Sequence, residues 1–239
     1  MSISKSMRDR LIKRKEALSK RGSGNFKFFI FKEGTSRMRL VPVDPDEEFA
    51  VEATFFFLPN NIGGIVSPVT FNEPCAIMEA YQKLKKSKDE DDRKLADKIK
   101  PKKRYFALHI KYEDEKGKNI DFESGVKLAI LTNQQYNDLI DLYLDEENGD
   151  MTDPLDGYDI KYKREGKGLT DTQYSVIRCK PTPLHKKFRD KIYDPKKALK
   201  KIIPTYEETQ DIVEKIMGGS MDDEKPSFKK KNKKSTGDM

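Results

Sequence analysis

The chain has 239 residues, 37% charged and 35% hydrophobic, with a net charge of +7, a balance that fits one compact domain with polar appendages. Two cysteines far apart in the sequence exclude a disulfide framework and point to a reducing compartment. No apolar run approaches the roughly 18 residues of a membrane span, and the N-terminus lacks an apolar export segment, so a cytoplasmic protein without membrane contact is expected.

The charge is concentrated at the ends. Residues 1–21 carry eight Lys or Arg against Asp9 and Glu16, a net of +6, and residues 218–239 carry six Lys against four acids, a net of +2. That leaves the middle near −1, and basic ends around a neutral body suggest arms that meet a polyanion or an acidic partner.

In chain order, residues 1–24 form a basic N-terminal arm. Met7, Leu11 and Leu18 give it a thin apolar stripe, too thin to nucleate a core alone, and Gly22-Ser23-Gly24 ends it as a joint. A core is expected over 25–205. Aromatic-dense Asn25–Lys32, then Arg37–Val43 and Phe49–Leu58, read as strands. Residues 59–103 interrupt the series as an insertion, with helices from about Cys75 to Lys86 and from Asp89 to Lys98; acids crowd the start of the second and lysines its end. Strands return at Arg104–Asp114 and about Ile120–Leu131, and Thr132-Asn133 is placed to cap a helix reaching Leu144. Asp138–Asp156 holds eight acids and no base, and it is expected either to face away from nucleic acid or to make an autoinhibitory contact with a basic arm. Tyr158–Arg164 and Gln173–Lys180 flank Glu165-Gly166-Lys167-Gly168 as a long β-hairpin. His185–Lys201 is strongly basic, 206–219 is a short helix, and 220–239 is a mixed-charge tail with the composition of a disordered segment.

No catalytic constellation is present. Phosphate-loop, HExxH and GxSxG patterns are absent, and the two imidazoles are His109 and His185, so an enzyme is not expected. His109, in a strand beside Lys111, reads as a surface or hydrogen-bonding residue. Around Cys75 the sequence offers only Ser67 and Met78, which is not a zinc ligand set, and no metal or cofactor is expected.

What the chain does have is rings spaced among cations. Strands followed by a helical insertion, further strands, a helix and the hairpin suit a mainly β fold with helices, an OB-like barrel with an inserted subdomain and flexible basic termini. Such barrels bind single strands by stacking bases on aromatics and tracking phosphates with Lys and Arg. Phe29, Phe31, Tyr105 and Tyr162 are the candidate platforms. Lys27, Arg37, Arg39, Lys111, Lys161, Lys163, Arg164 and Lys167 are the candidate phosphate contacts, with His109 beside them. The competing reading is that the tyrosines are core and the charges a solvated face.

FKFFIFKEGTSRMRLVPV, SPVTFNEPCAIMEAYQKL, KRYFALHIKYED and GYDIKYKREGKGLTDTQYSVI, in this order, resemble the phage helix-destabilising single-stranded DNA-binding proteins of the T-even type. The resemblance runs from about Phe26 to Lys180. It implies an OB-fold core with an insertion, cooperative sequence-independent binding to single-stranded DNA, and service in replication, recombination and repair in the host cytoplasm. It implies further that Lys13-Arg14-Lys15 contact neighbouring protomers along the strand, although Glu16-Ala17 stand where small hydroxyl residues are expected. In relatives the insertion commonly holds zinc in a Cys-x7-Cys-x2-Cys arrangement; here those places read Ser67, Cys75 and Met78, so the zinc is expected to be lost. The family tail is typically acidic and recruits phage replication and recombination proteins, whereas here Asp222-Asp223-Glu224 precede a lysine run. The alternative function is a structural or packaging protein that uses its basic ends on nucleic acid.

Overall fold

The computed structural model describes residues 28–29, 31, 33–60, 62–113, 116–117, 119–166 and 171–218. Among these it is a mixed α+β protein, with a mainly antiparallel sheet of seven strands and six helices. The strands are β1 (Gly34–Leu40), β2 (Ala50–Leu58), β3 (Gly63–Val66), β4 (Lys102–Lys111), β5 (Val126–Leu131), β6 (Tyr158–Glu165) and β7 (Gln173–Pro181). The helices are α1 (Ala76–Lys85), α2 (Glu90–Lys98), α3 (Asn133–Leu144), α4 (Lys186–Arg189), α5 (Pro195–Lys200) and α6 (Tyr206–Gly218).

Strand β4 organises the sheet. It pairs with β5 along Tyr105–Ile110, with β2 along Lys102–Ala107 and with β1 along His109–Lys111. A strand has two edges, so β5 takes one while β2 and then β1 share the other. From β1 the path continues to β6 and β7, in the order β3-β2-β4-β1-β6-β7 with β5 on β4. Among the described residues no ladder joins β7 to β3 or β5, so the pairing is an open, branched path. Of the expected strand at Asn25–Lys32, residues 28, 29 and 31 are described, and Phe29 forms a parallel bridge with Ala129; the rest lie outside the described residues.

Both faces of β4 are covered, which is why Phe106 to Ile110 are buried without a break. Phe106, Leu108 and Ile110 join a cluster with Phe55, Leu128, Leu184, Phe188 and Leu199, the last three from the basic 185–201 region and its approach. Ala107 joins Met38, Leu40, Leu139, Tyr158, Ile160 and Tyr162 in a second cluster, closed by α3. Helix α3 starts where its capping chemistry dictates: Thr132 Oγ1 accepts from the Gln135 N–H while Gln135 Oε1 accepts from the Thr132 N–H. Helix α2 opens on Asp89, whose side chain accepts from the Asp91 N–H at 2.8 Å.

The insertion has a core of its own. Phe56, Leu58, Cys75, Ile77, Leu84, Ala96 and Ile99 pack together with Ile216, which arrives from α6. Helix α6 thus packs against residues of the 59–103 segment, and the Thr209 hydroxyl accepts from the Ala76 N–H at 3.1 Å to join them. Where β2 crosses β3, Gly64 lies against the Phe55 ring, and a Cβ there would overlap it.

Candidate nucleic-acid interface

Cross-strand partners share a face of a sheet, and the register separates the candidate residues into two groups. Arg37 stands opposite Lys161, and Thr35 opposite Lys163, on one face. Met38 stands opposite Ile160 and Lys111, and Leu40 opposite His109, on the other. Tyr162 and Arg164, two and four residues beyond Ile160, follow that second face. Lys13, Arg14, Lys15, Lys27 and Lys167 lie outside the described residues.

Burial removes four of the candidates from any surface. Phe31, Arg39, His109 and Tyr162 are all buried, so in this conformation they neither stack bases nor touch phosphates. Arg37 is committed as well. Its Nε and Nη2 donate to Asp159 Oδ2 at 2.8 and 2.6 Å, and its Nη1 donates to the Lys116 carbonyl at 2.6 Å. Arg39 donates to the carbonyls of Thr182 and Asp153 and lies 3.6 Å from the other Asp159 oxygen, to which Tyr112 also donates. One buried carboxylate thus gathers two arginines and a phenol. Burial presses the Arg39 guanidinium below the ordinary arginine value, and Asp159 opposes that loss. Burial also works against the charge on Arg37, but its hydrogen bond to Asp159 holds it above the ordinary value. Gly117 and Gly157 lie against the two guanidinium groups, where a Cβ would collide. The alternation of Arg37 and Arg39 with Met38 and Leu40 is real, but the cationic side of β1 faces a buried acid.

His109 is an internal strut. Its Nδ1 lies 3.0 Å from the Ala107 carbonyl, so that nitrogen carries the proton, and its Nε2 accepts from the Tyr162 hydroxyl at 2.8 Å. Burial lowers its pKa from 6.5 to about 4, against the raising effect of the Ala107 carbonyl, while burial drives Tyr162 upward. The folded state therefore binds fewer protons here than the unfolded chain. The stabilisation is complete above about pH 6.5 and declines as pH falls toward about 4, by about 3 kcal/mol. Urea unfolding of the wild type beside a His109→Leu, Tyr162→Phe double variant isolates this contribution, because carboxylates common to both cancel. The gap between the two is expected to be constant above about pH 6.5 and to shift in the variant's favour below it; a gap independent of pH would refute the assignment.

Tyr105 is half committed. Its ring stacks on Tyr136 with centroids 3.8 Å apart and planes at 12°, and its hydroxyl donates to Glu52 at 3.1 Å. One π-face is used, and the polar end meets a carboxylate, the wrong sign for a phosphate neighbour. Lys163 pairs with Glu165 at 2.7 Å, whereas Lys111 and Lys161 have no ion pair among the described residues.

The remaining rings and cations form a row. Phe57 is 44% exposed, and the charged ends of Lys102 and Arg104 lie 5.5 and 5.4 Å from its ring centre. Tyr174 is close enough to Arg104 to act on it electrostatically, partly offsetting the lowering by burial. Arg164 lies 6.0 Å from the Tyr174 ring and donates to the Phe31 carbonyl at 2.8 Å. Phe31 meets Phe29 edge to face at 5.1 Å, and Lys111 Nζ lies 5.4 Å from the Phe29 ring. Three ring–cation pairs thus make up the row: Phe57 with Arg104, Tyr174 with Arg164, and Phe29 with Lys111.

The profile of a family described as "gp32 DNA binding protein like" matches residues 32–222. The chain belongs to this family. No curated protein matches it. Membership in the gp32-like DNA-binding family makes DNA the ligand against which the row is to be judged, and all the row except Phe29 lies inside the matched span.

The zinc arrangement expected of relatives of this kind does not fit these residues. Ser67 Oγ accepts from the Val69 N–H at 3.3 Å to cap a short 3-10 turn, and Cys75 is packed in the insertion core beside Met78. Among the described residues no three His, Cys, Asp or Glu side chains are grouped to hold a metal, and no chemistry is routed through one. Nor is any helix among them long and apolar enough to cross a membrane.

Sequence reasoning missed Phe57, Arg104 and Asp159. Three successive phenylalanines, Phe55 to Phe57, cannot all face one core in a strand. An aspartate inside an alternating strand is disfavoured unless something holds it. Both signals were present, but each names a residue without naming its partner.

Proposed function

We propose that this gp32-like chain is a non-enzymatic, sequence-independent single-stranded DNA-binding protein, with bases stacking along the Phe57, Tyr174 and Phe29 row and phosphates met by Lys102, Arg104, Arg164 and Lys111. The observation that carries the reading is the pairing of rings with cations. Phe57, Tyr174 and Phe29 each have a cation at 5.4 to 6.0 Å, the chemistry a polyanion with unpaired bases requires. Lys161 and Lys163, on the Arg37 face of the sheet, and Lys27 and Lys167 extend the positive field. An OB-type barrel is the scaffold the family membership favours for this antiparallel pairing around β4. Cooperative assembly through Lys13-Arg14-Lys15, partner recruitment by the tail, and service in phage replication, recombination and repair in the host cytoplasm complete the reading. They are supported by family membership and by the +6 charge of residues 1–21.

The test is fluorescence anisotropy with a labelled single-stranded oligonucleotide at several salt concentrations, with duplex of the same sequence as competitor. Binding is expected to weaken with salt by about 0.7 in log-log slope per phosphate neutralised, with duplex competing poorly. Equal competition by duplex would assign binding to the basic ends and favour a packaging protein, because only unpaired bases reach a stacking row.

A further inference from the structure

Residues 185–201 carry eight Lys or Arg against Asp190 and Asp194, a net of +6, and the row uses none of them. Lys196 and Lys200 are engaged by Glu47 and Glu73, and Arg189 by Asp190. Lys186, Lys187 and Lys191 are exposed and pair with no carboxylate among the described residues.

Over this surface stands Phe122, 43% exposed. Its ring is held rather than loose. His185 meets it edge-on at 4.9 Å, the buried Phe188 ring lies nearly parallel at 6.1 Å and 12°, and Lys187 Nζ sits 5.2 Å from its centre. A fixed, half-exposed ring with a cation at its face is a stacking platform. Its position ties it to the row. The Asp121 N–H donates to the Lys111 carbonyl at 3.0 Å, and Tyr112 bridges Ile120, so the backbone carrying Phe122 runs beside that of Lys111, the residue with which the row ends.

We propose that Phe122, His185 and Lys187 form a further subsite for single-stranded DNA, taking a base that leaves the row at its Lys111 end while Lys186 and Lys191 meet the phosphates beyond it. The inference rests on the row reading. A single-stranded polyanion is the occupant favoured by the charge, since Lys187 sits at the face of the ring and Lys186 and Lys191, exposed on the same segment, pair with no carboxylate among the described residues.

The chain contains no tryptophan, so Phe122→Trp installs a single indole reporter at the platform. Oligothymidylates of about 6 and about 14 nucleotides bracket the row alone and the row with its extension. The longer oligonucleotide is expected to quench the indole strongly and the shorter one weakly. In a Phe122→Ser, Lys187→Gln variant, affinity for the longer oligonucleotide is expected to fall roughly tenfold, toward that for the shorter, which stays as in the wild type. The exposed single change Lys187→Gln provides the same comparison with no core atom altered. An indole unmoved when the longer oligonucleotide is bound, or variants that bind both lengths as the wild type does, would overturn the subsite while leaving the row intact. Indole emission that shifts with protein concentration before DNA is added would overturn it in favour of a contact between copies. If the wild type binds neither length, the row reading fails and the subsite falls with it.

Discussion

Replacing Asp159 by Asn is expected to lower the unfolding free energy by about 3–5 kcal/mol, the cost of leaving a buried charge without its counter-charge. Asp159 and Arg39 are each 1% exposed. Arg39 keeps the Thr182 and Asp153 carbonyls as acceptors but loses the only full negative charge within 4 Å among the described residues, where its Nε already has no hydrogen-bond partner. Arg37 loses both hydrogen bonds to Asp159 Oδ2, and Tyr112 loses a charged acceptor. Against the roughly 5–15 kcal/mol that stabilises a domain, such a loss leaves a chain folded at low temperature and unfolded by mild denaturant. Urea unfolding followed by circular dichroism measures it, with Arg37→Lys, whose side chain retains some solvent contact, as the milder comparison. A change below about 1 kcal/mol would mean that Asp159 is not the counter-charge that holds β1 to β6.

Along the row, Tyr174→Ala and Phe57→Ala are each expected to weaken single-stranded DNA binding by about 1–3 kcal/mol, whereas Tyr105→Ala leaves it nearly unchanged. The distinction rests on what each ring already touches. Tyr105 has one face on Tyr136 and its hydroxyl on Glu52, while Phe57 and Tyr174 are flanked by arginines. Removing charge tests the same path differently. The triple change of Arg104, Arg164 and Lys111 to Gln is expected to make the log-log salt slope shallower by about 2, at about 0.7 per lost phosphate contact. Anisotropy titrations across salt give both numbers, and urea midpoints separate them from instability, since Arg164 also supports the Phe31 carbonyl. Equal losses for Tyr105 and Tyr174, or an unchanged slope in the triple variant, would place the DNA elsewhere.

Several elements were legible before any fold was known, because their causes are local. The hairpin of β6 and β7 closes with Glu165 opposite Gln173, and Gly166 there adopts φ +88°, the left-handed region that glycine tolerates. Thr132 sets the start of α3 as its cap, and the acids at 89–92 set the start of α2. By contrast, α6 reads as an isolated short helix in sequence and is found completing the core of the insertion, a contact that joins residues more than a hundred positions apart.

The site followed the same division. Residue types alone identified a chain rich in rings and cations, and that composition, with the order of its strands, was enough to indicate nucleic acid. Alternation also stated correctly that Arg37 and Arg39 share one face of β1. It could not state what that face meets, because a period of two separates two sides without saying which is wet. Only the tertiary structure covered both sides of β4, placed Asp159 beneath the two arginines, buried His109 against Tyr162, and left Phe57, Tyr174 and Phe29 beside cations. Secondary structure and ligand class arise from neighbours in sequence and from composition, whereas exposure arises from long-range packing, which decides which of many similar side chains remain in water.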